Sequence, residues 1–504
     1  MSPDVPDGGE ELPWPDRHAG VLLHPTSLPG SGGIGDLGPE AHRFIDLLKR
    51  AGQSLWQILP LGPPGPGNSP YAARSSFAGN PLLISLERLA EDGLLDHSRL
   101  DDVPAFPADR VDFEAVRRWK APLLREAFDR FDGSDAGFEH FREESRSWLP
   151  DYALYMALAS TLETSWRDWP GGLASRDPSA LEHARRRLAP EIAYLEFQQW
   201  QFYRQWQALR QHATSNGIRV IGDIPIFVAF DSADVWANQH IFKLGPDLLP
   251  EVVAGVPPDA FSATGQRWGN PLYRWDVLRA EDYGWWLHRI RHTFALVDLT
   301  RIDHFRGFEA AWEIPVAAAT AESGRWILGP GREFFDHAES HLGRLGIIVE
   351  DLGLITRSVR ELRDALGYPG MKVLQFAFGD DSRNPYLPHN IPVSSAVYTG
   401  THDNDTTLGW FQSRSSHERD RILRYLAVDG HDIVSDLIRV AYGTVAEMAI
   451  IPMQDILRLG SDARMNTPGQ ADGNWGWRFQ WEQVDPGHVG WLRDMAVTYG
   501  RARP

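Results

Sequence analysis

The chain of 504 residues contains no cysteine. That excludes disulfide bridges, thiolate metal sites and a cysteine nucleophile, and it fits a cytoplasmic location. No run approaches the roughly 18 apolar residues of a membrane span. The opening MSPDVPDGGEELPWPDR has neither the basic start nor the apolar stretch of a secretory leader. It is acidic and rich in Pro and Gly, so residues 1–17 are expected to form a disordered tail. Positive charge is short: 50 Lys and Arg against 68 Asp and Glu give a formal charge of −18. Such a balance argues against nucleic acid or an anionic membrane as partner and points to a neutral ligand or one taken into a local pocket. Internal repeats and low-complexity linkers are also missing.

What is present is a globular composition, 42% hydrophobic and 23% charged. The 20 Trp residues are many; their flat apolar faces and single N–H donors suit sugar rings, although core packing accounts for most of them. Eight short apolar runs follow one another: VLLHP (21–25), SLWQILPL (54–61), RVIGDIPIFV (219–228), LVDLTRID (296–303), GIIVEDLG (346–353), MKVLQFAF (371–378), AVYTGTHD (396–403) and MAIIPMQD (448–455). Helical patterns alternate with them, as in 38–52, 358–367 and 416–427. This alternation predicts an α/β fold with a parallel sheet, and eight units predict a (β/α)₈ TIM barrel. Unequal spacers predict inserted, largely helical subdomains at about 75–215 and about 229–290 within a single catalytic domain over 18–504. Helices are expected at 112–130, 151–164 and 191–216. The stretch 253–275, dense in Pro, Gly and aromatics, reads as an ordered loop of the kind that builds specificity at a barrel mouth.

Several strands end in charge. In LVDLTRIDHFRG (296–307), Arg301 and Asp303 are two apart and share a face at the strand's end. The guanidinium favours an ionised carboxylate, and such a carboxylate can act as a nucleophile; a structural ion pair is the alternative. Glu350 closes another run, His402 and Asp403 a third, and Asp223 a fourth. Acids at the ends of barrel strands converge at one mouth. Two carboxyls flanking a sugar bond suffice for glycosidic chemistry. A metal site is the chemical rival, but His304 and His402 each adjoin an Asp, and neighbours diverge on a regular strand. No HExxH is present, and Arg301 opposes a cation. The Gly-rich 27–38 stretch lacks the GxxxxGK[ST] pattern of a phosphate loop.

From about Gly20 to about Arg478 the sequence resembles the amylomaltases, the 4-α-glucanotransferases of glycoside hydrolase family 77 in the α-amylase clan. The stretches that carry the resemblance are GVLLHPTSLPG (20–30), SPY (69–71), GDIPIFV (222–228), GVPPDAFSATGQRWGNPLY (255–273), RIDHFRG (301–307), EDLG (350–353), GMKVLQFAF (370–378), TGTHDNDTTLGW (399–410) and RMNTPG (464–469). The resemblance implies Asp303 as nucleophile, Glu350 as general acid/base and Asp403 as the third acid, which holds sugar hydroxyls. It implies that Tyr71, Asp223, Arg301 and His402 line the subsite of the reacting glucose. Asp259 and Trp268 would lie on a loop over the acceptor side, and Ser69, Asp380 and Asn466 would be outlying glucan contacts. Maltooligosaccharides and α-1,4-glucans would be the substrates, with no metal and no cofactor. An amylase-like hydrolase and a non-catalytic glucan-binding protein are the alternatives. One departure stands out: where the family commonly carries an aromatic residue, the loop GPPGPGNSPY (62–71) has Pro66, which removes a stacking face for a remote glucan.

Overall fold

The computed structural model describes residues 16–258 and 262–502. Eight parallel strands close a barrel: β1 His18–Leu22, β2 Leu55–Gln57, β3 Arg219–Pro225, β4 Leu299–Asp303, β5 Ile347–Val349, β6 Gly370–Val373, β7 Ser395–Tyr398 and β8 Met448–Pro452. Each strand pairs with its neighbours in chain order, and β8 pairs with β1. The eight apolar runs supply the eight strands. With helices outside and packed side chains inside, these strands are buried on both faces, so they read as continuous apolar runs. Seven of the strands are shorter than their runs, and β1 begins three residues before its own, at His18. In 296–303, Leu296 is the last residue of a helix, Gly284–Leu296, and the strand begins at Leu299. Apolar periodicity cannot mark that boundary, because the end of the helix faces the same core as the strand.

Between β2 and β3 lie the helices Phe113–Arg130, Leu149–Leu162 and Ala189–Ser215, at the positions the periodicity predicts. The last is rich in glutamine for a structural reason. Gln199 and Gln205 are buried and accept the N–H groups of Gly79 and Ser85, both at 2.7 Å, satisfying a loop that has no sheet partner.

The stretch 253–275 departs from expectation. It contains the strands Val252–Val256 and Gln266–Pro271, paired antiparallel and joined to Ala310–Pro315 and Arg325–Leu328 in a four-stranded side sheet. Pro257, Pro258 and Gly265 (φ 69°) sit at the hairpin end and mask the strand signal on either side. The sheet also takes two strands that follow the end of β4 directly. At the N-terminus, residues 1–15 of the expected tail lie outside the described residues, but Arg17 differs from that expectation. Its guanidinium donates to the carbonyls of Tyr442 (2.7 Å) and Thr444 and pins the chain where β1 begins. Among the described residues no helix is long and apolar enough to cross a membrane.

Candidate active site

The parallel register assembles the site. Asp223 of β3 pairs with Arg301 of β4, so their side chains leave the sheet side by side. Arg301 Nη1 donates to both oxygens of Asp223 (2.9 and 2.7 Å), and Nη2 donates to Asp303 Oδ1 (2.8 Å). One guanidinium thus bridges two carboxylates, and its Nε lies 3.3 Å from Met371 Sδ on β6. Asp303 Oδ2 receives no hydrogen bond from any described residue. Thr300, Arg301 and Ile302 pair with Ile347, Ile348 and Val349, and the next step sets Asp303 opposite Glu350, whose N–H donates to the Ile302 carbonyl (3.0 Å).

The chain turns sharply after Asp303. His304 has φ 53°, a left-handed conformation that a non-glycine residue adopts only where the surroundings impose it. The turn aims the His304 N–H at Glu350 Oε2 (2.9 Å), while the Leu352 N–H donates to Oε1 (3.1 Å). Even so, Glu350 is pushed up to about 8, first by burial; the Arg301 charge opposes this and the Asp303 carboxylate adds to it. Burial lowers His304 to about 4, against the pull of Asp303, so its imidazole is neutral at pH 7. The next residue in the EDLG string, Asp351, turns away. It is buried and pairs with Arg363 (2.6 Å) and Lys372 (3.6 Å), a structural cluster behind the site.

The opposite wall comes from loops. Tyr71 OH donates to Asp223 Oδ2 (2.8 Å), and its ring stacks on His402 with centroids 5.2 Å apart. Ser69 Oγ accepts the Tyr71 N–H (3.3 Å), so it caps the short turn that presents the tyrosine. Asp403 Oδ1 accepts from Asn466 Nδ2 (2.6 Å), and Oδ2 lies 3.4 Å from His402 Nε2. Burial lowers His402. The expectation that adjacent His and Asp side chains diverge therefore fails here. β7 ends at Tyr398, and His402 and Asp403 lie in a turn where strand alternation does not hold. Among the described residues, no cluster of three or more His, Asp or Glu could hold a metal ion.

One other expectation needs correcting. Asp223 does not line an open subsite: its side chain is 0% exposed, covered by Arg301 and Tyr71. Asp380, expected as an outlying glucan contact, is exposed; its Oδ1 accepts the N–H of Asp381 (2.9 Å) and its carbonyl accepts from Arg421. Asp259 lies outside the described residues. Trp268 is 39% exposed and meets the His304 ring edge-on at 4.8 Å. Trp475, which the sequence reading passed over, packs against both Tyr71 (5.8 Å) and His402 (6.0 Å). Its one sequence signal is an aromatic pair in the Gly-rich string ADGNWGW (471–477).

A family model described as 4-alpha-glucanotransferase, glycoside hydrolase 77, matches residues 23–483. The chain belongs to glycoside hydrolase family 77. Among curated family 77 relatives, the 4-alpha-glucanotransferase of Thermus thermophilus is 51% identical, the match covering 97% of this chain and 100% of that one. The 4-alpha-glucanotransferase of Synechocystis is 49% identical over 96% and 98%. Among solved structures, the amylomaltase from Streptococcus agalactiae in complex with acarbose superposes with a TM-score of 0.94 at 36% identity, covering 97% of this chain and 100% of that one. The Corynebacterium glutamicum amylomaltase shares the fold at 19% identity and a TM-score of 0.76, covering 97% and 75%.

The burial of Asp223 makes a prediction within this family 77 site. Asp223→Asn removes one of two charges that neutralise Arg301 and leaves a buried guanidinium under-compensated. Breaking a buried pair costs about 3–5 kcal/mol in stability. Steady-state kinetics should show kcat down by about 10²-fold with KM little changed, because no sugar touches a side chain that is fully covered. A raised KM at unchanged kcat would mean that Asp223 contacts substrate after all.

Proposed function

We propose that this 4-alpha-glucanotransferase cuts and rejoins α-1,4-glucans by a retaining double displacement centred on Asp303 and Glu350. The observation that carries the reading is that the β4–β5 register brings Asp303 and Glu350 to neighbouring positions at the strand ends, with the His304 N–H donating to Glu350. Their backbones stand one strand spacing apart, about 4.8 Å, the scale of the roughly 5–5.5 Å carboxyl separation used in retention. Asp303 attacks the anomeric carbon while Glu350 gives its proton to the departing glycosidic oxygen. The released sugar leaves with a free 4-hydroxyl, and the remaining chain stays bonded to Asp303. Glu350, now a carboxylate, takes the proton of an incoming 4-hydroxyl. That oxygen attacks the anomeric carbon and frees Asp303. Asp403, held by Asn466 and close to His402, is placed to bind hydroxyls of the reacting ring. Tyr71 offers a ring fixed at both ends. Maltooligosaccharides fit as donors and acceptors, and the cycle uses no redox step and so needs no redox cofactor.

Transferase and hydrolase share the first step, so the choice of attacking hydroxyl separates them. Water is near 55 M, and transfer prevails only if an acceptor is positioned and solvent excluded. The side-sheet hairpin, with the half-exposed Trp268 next to His304, supports that role on the acceptor side. Incubation with maltotriose alone should give glucose and a ladder of longer chains, with reducing ends nearly constant. Trp268→Ala should cut transfer about tenfold relative to hydrolysis, the scale of one lost ring contact. Steadily rising reducing ends and no product longer than maltotriose, from the unmodified protein, would favour the hydrolase reading.

A further inference from the structure

Asp455 is a buried carboxylate outside the group of Asp303, Glu350 and Asp403. It lies in the short helix Met453–Ile456, directly after β8, and is 1% exposed. Its Oδ2 accepts the hydroxyls of Thr399 (2.6 Å) and Thr407 (2.7 Å), and its Oδ1 accepts the Thr407 N–H (2.7 Å). These donors are two hydroxyls and one amide, and none is a cation. Both threonines are fully buried. Thr399 follows the last residue of β7, and Thr407 opens the helix Thr407–Gln412.

The chain between these two threonines carries His402 and Asp403. One carboxylate therefore grips both ends of the loop that presents the third acid. The segment after Asp455 grips its middle. Arg464 Nη2 donates to the Asp403 carbonyl (2.6 Å), the Asn466 N–H to the His402 carbonyl (3.1 Å), and Asn466 Nδ2 to Asp403 Oδ1 (2.6 Å). Hydrogen bonds to an ionised acceptor are shorter and stronger than neutral ones, and those to Asp455 are short. The charge is costly to keep: burial opposes it, and the Asp405 carboxylate adds to that. An asparagine of the same shape would avoid the cost. The charge therefore points to precise placement of what it holds.

We propose that Asp455 is a positioning residue for transfer: by clamping Thr399 and Thr407 it fixes the loop 399–407 so that Asp403 meets the hydroxyls of the reacting ring. The inference rests on the glucanotransferase reading above, in which Asp403 binds that ring, and it names what holds Asp403 in place. Asp455 itself is too buried to touch a sugar and acts only through the loop. A small shift of Asp403 weakens contacts that matter most in the transition state. It therefore lowers kcat more than it weakens substrate binding.

Fluoride release from α-maltosyl fluoride, with maltotriose as acceptor, is the readout and stays measurable in slow variants. Asp455→Asn should lower kcat about 30-fold, under the roughly 10²-fold that an ångström of misplacement can cost, with KM changed less than about twofold. Thr399→Val removes one clamping hydroxyl and should lower kcat about fivefold, the scale of one hydrogen bond. Thr399→Ser keeps the hydroxyl and should restore the rate. The deciding comparison repeats these changes in an Asp403→Asn background. With Asp403 already disabled, its placement no longer matters, so Asp455→Asn should cost no more than about threefold further and Thr399→Val nothing measurable. Losses of full size in that background, or a kcat that neither single variant lowers, overturn the proposal. Where Asp455→Asn does not fold, the Thr399 variants give the same decision. If Asp403→Asn alone is fully active, the role of Asp403 fails and the clamp with it. If the unmodified protein transfers no maltosyl unit to maltotriose, the glucanotransferase reading itself fails.

Discussion

Asp303→Asn is expected to reduce turnover on the order of 10⁴-fold or more with every donor, activated or not. Asparagine keeps the shape and can still accept the Arg301 Nη2 hydrogen bond through its amide oxygen, so the bridge from Asp223 through Arg301 survives and the fold with it. What is lost is the anionic oxygen that bonds to the anomeric carbon. A better leaving group cannot replace that bond, so an α-glycosyl fluoride should be as inert as maltotriose. The check is paired: kinetics on both donors, and intact-mass analysis of the protein after exposure to the fluoride. No glycosyl adduct should form on the variant. An adduct on Asp223 or Asp403 would move the nucleophile elsewhere. Asp223 is a poor candidate on geometry, since its side chain has no accessible surface, and Asp403 is engaged with Asn466 and His402.

Much of this arrangement was readable before the fold. Eight apolar runs alternating with helical patterns imply a barrel, and a barrel places strand-end acids at one mouth. Period-2 alternation puts Arg301 and Asp303 on one face, and the 2.8 Å bond between them is the result. Other features depend on tertiary context that a linear string lacks. Asp223 reads as one more mouth acid, yet its pairing with Arg301 in the register buries it. The side sheet is masked in the sequence because Pro and Gly flank two of its strands, and the two others lie in the connection after β4. The approach of His402 to Asp403 is hidden because strand alternation ends at Tyr398 and the two residues lie in the turn beyond it. Trp475 joins the site only through packing against Tyr71 and His402, residues far from it in sequence.

The raised Glu350 sets the second large effect and its pH signature. A general acid must hold its proton when the donor bond breaks. A glutamic acid of ordinary pKa, about 4.3, is protonated in only roughly one molecule in 500 at pH 7. Burial and the Asp303 charge push Glu350 to about 8, against the opposing charge of Arg301, so at pH 7 most molecules are ready. The sign follows directly: protonated Glu350 is retained below pH 8 and lost above it. With maltotriose as donor, kcat/KM should be level toward neutrality, fall above about pH 8, and approach a tenfold loss per pH unit. Glu350→Gln should lower kcat/KM for maltotriose roughly 10³-fold, within the range of a lost acid catalyst, and remove the alkaline limb. Glutamine keeps the shape, and its one amide oxygen can accept either the His304 or the Leu352 N–H, while the other N–H faces the amide nitrogen. Fluoride leaves without a proton, so the variant should still react with an α-glycosyl fluoride, and it should then stall. The second step needs a base to take the proton of the incoming hydroxyl, and none remains. Mass spectrometry should find a glycosyl adduct accumulated on Asp303. Azide, a nucleophile with no proton to lose, should release it as a glycosyl azide. An alkaline limb that persists in Glu350→Gln, or full activity of that variant on maltotriose, would assign the acid to another residue.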